Sequence, residues 1–228
     1  MVSDFPALSP LMLTLKVALF ATLFAFAAGV GIAYFLVHKR VRGRDLIDAV
    51  VTLPLVLPPT VLGYYLLVVF GRNGWLGQWF LEFFGISLIF TWQGAVVAST
   101  IVSLPLIVKS AKAAFESVDT SLENAARTLG HSEISVFLKV SFPLAWRGIM
   151  AGMMLAFARA MGEFGATLMI AGNLPGKTQT LSVAVYQAVQ AGDDSLANTL
   201  VIITSCVSFF ILYASGKLLN GRQQWIQK

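Results

Sequence analysis

Residues Glu123–Pro143 read ENAARTLGHSEISVFLKVSFP, and the arrangement of the whole chain turns on how this stretch is read. It carries regular charge in the middle of a chain that is strongly apolar on either side. The pattern predicts two short helices. Thr120 and Glu123, just after Asp119, have the T-x-x-E spacing of a capping box, a helix-start signal. Leu122, Ala125, Ala126 and Leu129 recur at i, i+3, i+4 and i+7, one apolar stripe, while Glu123, Asn124, Arg127 and Thr128 point elsewhere. Gly130 stands where a glycine closes a helix. Ser132 can open a second helix with Ile134, Phe137 and Leu138 as its apolar face, and Pro143 is expected to end it. A short capped helix with a small-residue face suits a groove on another protein. The same pattern suits a helical loop lying on a membrane surface.

Composition supplies the setting. The 228 residues are 57% hydrophobic and only 12% charged, against about 25% charged in soluble domains. Mean hydropathy is +0.78. Apolar runs long enough to cross a bilayer recur, so the expected class is an all-α, polytopic membrane protein in contact with lipid. Five spans are expected, at about 11–37, 49–70, 88–108, 148–171 and 197–219, in a single transmembrane domain over 1–228. The central segment, 119–143, falls between the third and fourth.

The net charge of +5 requires no nucleic acid, because basic residues cluster between spans. Lys39, Arg40, Arg42 and Arg44 lie in the first loop, Lys109, Lys112, Arg127, Lys139 and Arg147 around the central segment, and Lys217, Arg222 and Lys228 in the tail. The opposite side holds Lys16, Arg72 and Lys177. That bias predicts an outside N-terminus, a cytoplasmic C-terminus and a cytoplasmic central segment. The opening MVSDFPALSP has no base and leads into an apolar run too long for a cleavable signal. Cys206 is the lone cysteine, which excludes an intrachain disulfide.

Several spans carry more than hydrophobicity. Ala18, Ala21, Ala25 and Ala28, followed by Gly29 and Gly31, form a small-residue stripe that admits a close neighbour. Gly148-x-x-x-Gly152 and Ala158-x-x-x-Gly162 have the same character. The second span contains Pro54, Pro58 and Pro59, which cannot share one straight helix. The backbone groups they free must face protein or water, so this stretch lines a cavity or helix junction, or is a bare kink. Residues 72–85 read as a turn-rich link with Trp75 and Trp79 as interface anchors. In the link 172–196, Leu181, Ala184, Val185 and Ala188 share a face. Arg159 and Glu163 stand at i and i+4 near the middle of the fourth span, where a charge costs about 2.5–3.5 kcal/mol. They either shape a polar path or lock packing as an internal ion pair.

Signals for catalysis are missing. The two histidines, His38 and His131, belong to no H-E-x-x-H, and no G-x-S-x-G or phosphate-binding P-loop is present. Gly172–Thr178, GNLPGKT, has the wrong glycine spacing for a nucleotide site and falls on the other side. No enzyme activity, cofactor or metal is implied, and any ATP hydrolysis must sit on another chain. A small membrane enzyme or a self-contained channel is the alternative from another class.

Ala125-Ala126-Arg127-Thr128-Leu129-Gly130 with Phe142-Pro143 resembles the cytoplasmic coupling loop of ABC-importer permeases, E-A-A-x-x-x-G followed by a proline. Asn124 occupies the usual glutamate position, and Glu123 sits one place earlier. LPLVLPPTVLGYYLL (53–67), GRNGWLG (71–77), FARAMGEFGAT (157–167) and GNLPGKTQTL (172–181) are similar to the permease subunits of molybdate ABC transporters. Sulfate/thiosulfate permeases share two of these pieces, and tungstate can use the same path. The resemblance implies a type I importer fold and a homodimer of permeases. It also implies two ATPase subunits, an extracytoplasmic molybdate-binding protein, and a place in a bacterial inner membrane. It assigns ATPase coupling to Glu123, Asn124, Ala125, Ala126, Leu129, Gly130 and Pro143. Pro58, Pro59, Arg159 and Glu163 become candidates for the translocation path.

Overall fold

The computed structural model describes residues 7–38 and 42–220. Lys39 and Arg40 of the first basic loop, and Arg222 and Lys228 of the tail, lie outside the described residues. The described chain is helical, in the order α1 (Leu8–His38), α2 (Arg44–Val56), α3 (Pro59–Phe70), α4 (Trp75–Phe84), α5 (Trp92–Glu116), α6 (Thr120–Thr128), α7 (Glu133–Val136), a π-helical turn (Phe137–Ser141), α8 (Phe142–Met161), α9 (Gly165–Ala171), α10 (Leu181–Gln190) and α11 (Asp194–Asn220). Among these, four helical runs are long and apolar enough to cross a membrane, or five if α2 and α3 together make one span.

Helices α1, α5 and α8 form the centre, and small residues bring them together. Ala18, Ala21 and Ala25 of the predicted stripe are fully buried. Ala28 faces outward instead, and Gly29 takes the next inward place, where a β-carbon would come within 2.9 Å of Ile107. Gly148 and Gly152 of α8 do the same against Ala114 and Ser110 of α5. Gly162 of the second small-residue pair is exposed and meets no neighbouring helix.

Two expectations need correction, and one holds. The prolines of the second span do part it: α2 and α3 meet at 115° across Leu57–Pro58. Proline at the start of α3 costs no hydrogen bond, because the first amides of a helix have no partner within it. Residues 75–84 are not a loose link but a helix, α4, ended by Gly85 in the left-handed conformation (φ 64°). Pro143 does not end a helix. The chain runs helically from Glu133 to Met161, and Phe142 N–H bonds to Phe137 O five residues back. That wide turn falls across Lys139, whose carbonyl the proline ring would otherwise strike.

One end of the bundle is basic and cross-linked. Lys109 and Lys112 of α5 both reach Asp48 of α2, at 3.0 and 3.1 Å, and Arg44 reaches Glu116 at 3.1 Å. At the other end α10 packs on α11 and on the start of α1. The Thr14 hydroxyl accepts the Leu181 amide at 2.8 Å. Leu181, Ala184 and Ala188 are buried with Val185 beside them, as their shared face predicts.

Candidate functional site

Two places in this fold combine polarity with exposure. The first is the helical pair between α5 and α8, at the basic end. Asp119, not Thr120, is the N-cap of α6. Its carboxylate accepts the Ser121 amide at 2.8 Å, which holds the carboxyl below its ordinary pKa. The chain leaves α6 through a Schellman turn: His131 N–H bonds to Ala126 O and Gly130 N–H to Arg127 O. Gly130 has φ +84°, which a side chain would oppose. Ser132 then caps α7 by accepting the Ser135 amide, as its position predicts. Arg127 ties the two helices together, donating to Glu133 at 2.8 and 3.2 Å and to Asn124 at 3.0 Å.

The apolar stripe does not face the bundle. Leu122 is 49% exposed, Leu129 80%, Ile134 74% and Leu138 57%. Ala125 and Asn124 are exposed with them, as is Pro143. The inward side holds Ala126, Glu123 and, beyond the turn, Val136. Of the residues assigned to coupling, Glu123 therefore points into the protein. Its carboxylate takes hydrogen bonds from Ser141 Oγ at 2.5 Å and His38 Nε2 at 2.9 Å. The exposed side is an apolar surface on a basic end, stiffened by caps. Burying such side chains against a partner stabilises by about 1.5–3 kcal/mol each.

The second place is a junction of two broken helices. Pro59 begins α3, and Gly165 begins α9 after a break at 162–164. A β-carbon on Gly165 would lie 2.6 Å from that of Pro59, and one on Gly63 would lie 2.7 Å from that of Met169. The breaks therefore meet. Arg159 and Glu163 stand at this break rather than in mid-helix, and their Nη1 and Oε2 are 2.7 Å apart. The other Glu163 oxygen accepts the Ala166 amide at 2.9 Å, so the carboxylate caps α9. Glu163 is buried, while the Arg159 side chain stays 33% exposed; Pro58 and Pro59, at the start of α3, are exposed too. A guanidinium with one edge neutralised and another free can meet an oxyanion. Among the described residues, no three His, Cys, Asp or Glu side chains are grouped to hold a metal.

Gly165→Ala should lower the thermal midpoint of the purified protein in detergent, through overpacking of about 1–3 kcal/mol. The neighbouring Gly162→Ala, in open space, should not.

A model of the family described as binding-protein-dependent transport system inner membrane component matches residues 7–222. The chain belongs to that family. It is thus a multi-pass transport permease, and the helical pair between α5 and α8 is part of a membrane subunit. The chain is 44% identical over 211 residues to the molybdenum transport system permease protein ModB of Escherichia coli K12, covering 92% of each. It is 39% identical to ModB of Haemophilus influenzae, covering 95% of each. A relative named "Probable sulfate transport system permease protein cysT", from Chlorokybus atmophyticus, is 36% identical over 97% of this chain and 77% of its own length. Among solved structures, the MetNI methionine ABC transporter in an inward-facing form matches with TM-score 0.74 at 18% identity, covering 94% of this chain and 95% of that one. A bacterial ABC transporter for alginate import matches with TM-score 0.77 at 13% identity, covering 96% and 81%. The fold is that of a type I ABC importer permease.

Sequence reasoning missed the inward turn of Glu123, the meeting of Pro59 with Gly165, and the break before α9. Gly162 and Gly165 flanking the charged Glu163 were the available signal for the last two.

Proposed function

We propose that this permease carries molybdate into the cytoplasm, as a homodimer with two ATPase subunits on the inner side and a molybdate-binding protein on the outer. The 44% identity to ModB over 92% of both chains carries this reading. The N-terminus lies outside and the C-terminus inside, which puts the basic end in the cytoplasm. Leu122, Ala125, Leu129 and Ile134 seat on the ATPase, with Gly130 setting the turn. Glu123 and Ala126 hold that face in position from behind. ATP-driven closure of the motor then moves α6 and α7, and through the continuous run Glu133–Met161 the motion reaches the Arg159–Glu163 break. There the anion passes Arg159, and Glu163 does not repel it because its charge is already met.

Uptake of labelled molybdate by the assembled transporter tests the substrate. Unlabelled tungstate should compete and sulfate should not. Displacement by sulfate alone would favour the sulfate reading of the more distant relatives.

A further inference from the structure

The end of α1 is bound to the coupling pair through Glu123, and the route just described leaves out the α1 side of that contact. His38 is the last residue of α1, and Glu123 lies 85 residues on, in α6. His38 Nε2 stands 2.9 and 3.1 Å from the two carboxylate oxygens of Glu123. Its Nδ1 stands 3.1 Å from the Tyr34 carbonyl. Carbonyl and carboxylate both only accept, so each ring nitrogen must carry a proton for both hydrogen bonds to form at once, and the two contacts together fix the ring between α1 and α6. Ser141, in the π-helical turn, donates to the same carboxylate at 2.5 Å, and Arg127 Nη2 lies 3.6 Å away. Tyr34 stacks on the imidazole at 4.1 Å between centroids, and Phe115 and Phe137 close the sides edge-on. Glu123 is 3% exposed, so its charge has no access to water and depends on these partners. Three elements thus meet at one carboxylate, α1, α6 and the turn before α8, while Phe115 of α5 packs against the His38 ring.

We propose that His38 is a positioning residue for coupling: through Glu123 it clamps the coupling helix to α1, so that α1 moves with the motor. A helix that only rested on the bundle would have no reason to bury an acid there. Losing one partner of a buried charge is costly, whereas sliding α6 along an apolar surface is not. The clamp therefore turns a soft contact into a stiff one. This inference rests on the importer reading above.

The test uses the full complex of permease, ATPase and binding protein, reconstituted in liposomes, with wild type, His38→Phe and His38→Gln. Two quantities are read: hydrogen exchange of the α6 amides, and molybdate moved per ATP hydrolysed. In His38→Phe the α6 amides should exchange about tenfold faster, and transport per ATP should fall about tenfold at an unchanged amount of complex. His38→Gln, whose side-chain amide can still donate to Glu123, should recover most of both. A merely structural role would lower the amount of complex and leave the ratio alone. If His38→Phe does not assemble, Ser141→Ala removes a single donor from the same carboxylate and should shift both readings in the same direction. Unchanged exchange and unchanged transport per ATP would overturn the clamp. A wild-type complex that moves no molybdate would overturn the substrate instead, and the exchange reading still decides the clamp.

Discussion

Leu129→Asp should abolish uptake while the permease remains inserted at its normal level. Leu129 is 80% exposed at the end of α6 and touches little of its own chain, so the substitution leaves the bundle intact. A carboxylate at the centre of an apolar docking face costs about 2–4 kcal/mol of association, roughly 30- to 700-fold in affinity. The ATPase should fail to copurify in mild detergent. The effect separates docking from folding, because Ala126→Arg, on the inward side of the same helix, should act differently. Ala126 faces the bundle beside Glu123, and a long cation there should lower the yield of inserted protein. Wild-type recovery of the ATPase with Leu129→Asp would mean that this face is not the docking surface.

Arg159→Leu is the second large effect. It leaves the Glu163 carboxylate buried with a single amide donor, and breaking such a pair costs about 3–5 kcal/mol. The thermal midpoint in detergent and the uptake should both collapse. The double change Arg159→Leu with Glu163→Met removes both charges and should restore much of the stability. The two open roles of the pair then part. If Arg159 meets the anion, uptake stays below about a tenth of normal in the stable double variant, because no fork of donors remains at the break. If the pair only locks packing, uptake returns with stability. The same logic predicts that Arg159→Lys keeps most of the stability and loses part of the uptake, since an ammonium cannot replace a planar fork.

What the sequence made legible was local. Gly130, Ser132 and the glycines of α8 announce their roles within four residues, and each stands in the structure as its neighbours require. Ala18, Ala21 and Ala25 of α1 were readable because close packing leaves a period in the chain, though Ala28 of the same stripe faces outward. Pro143 misled because a proline forbids an ordinary helical turn but not a π-helical one placed just before it. The break at 162–164 was missed for the opposite reason: no proline marks it, and its one acid, Glu163, stands at i+4 from Arg159 and so reads as a pair within a continuing helix. The outward leucines of α6 fit the groove on another protein that its pattern suggests, but the inward turn of its acid was not legible. The acid goes in because His38 and Ser141 are waiting for it, one from 85 residues upstream and one from 18 downstream. Leu122 and Leu129 come out exposed, while Ala126 stays in with the acid.

The central claim is that the face bearing Leu129 looks into the cytoplasm and is covered by another subunit. Cys206 is exposed and the lone cysteine, so a Cys206→Ser background carrying Leu129→Cys gives one reporter thiol. A membrane-impermeant maleimide should label it in inside-out vesicles and not in right-side-out ones, and the ATPase subunit should suppress that labelling. Labelling in right-side-out vesicles, or labelling that is indifferent to the ATPase, would contradict the account.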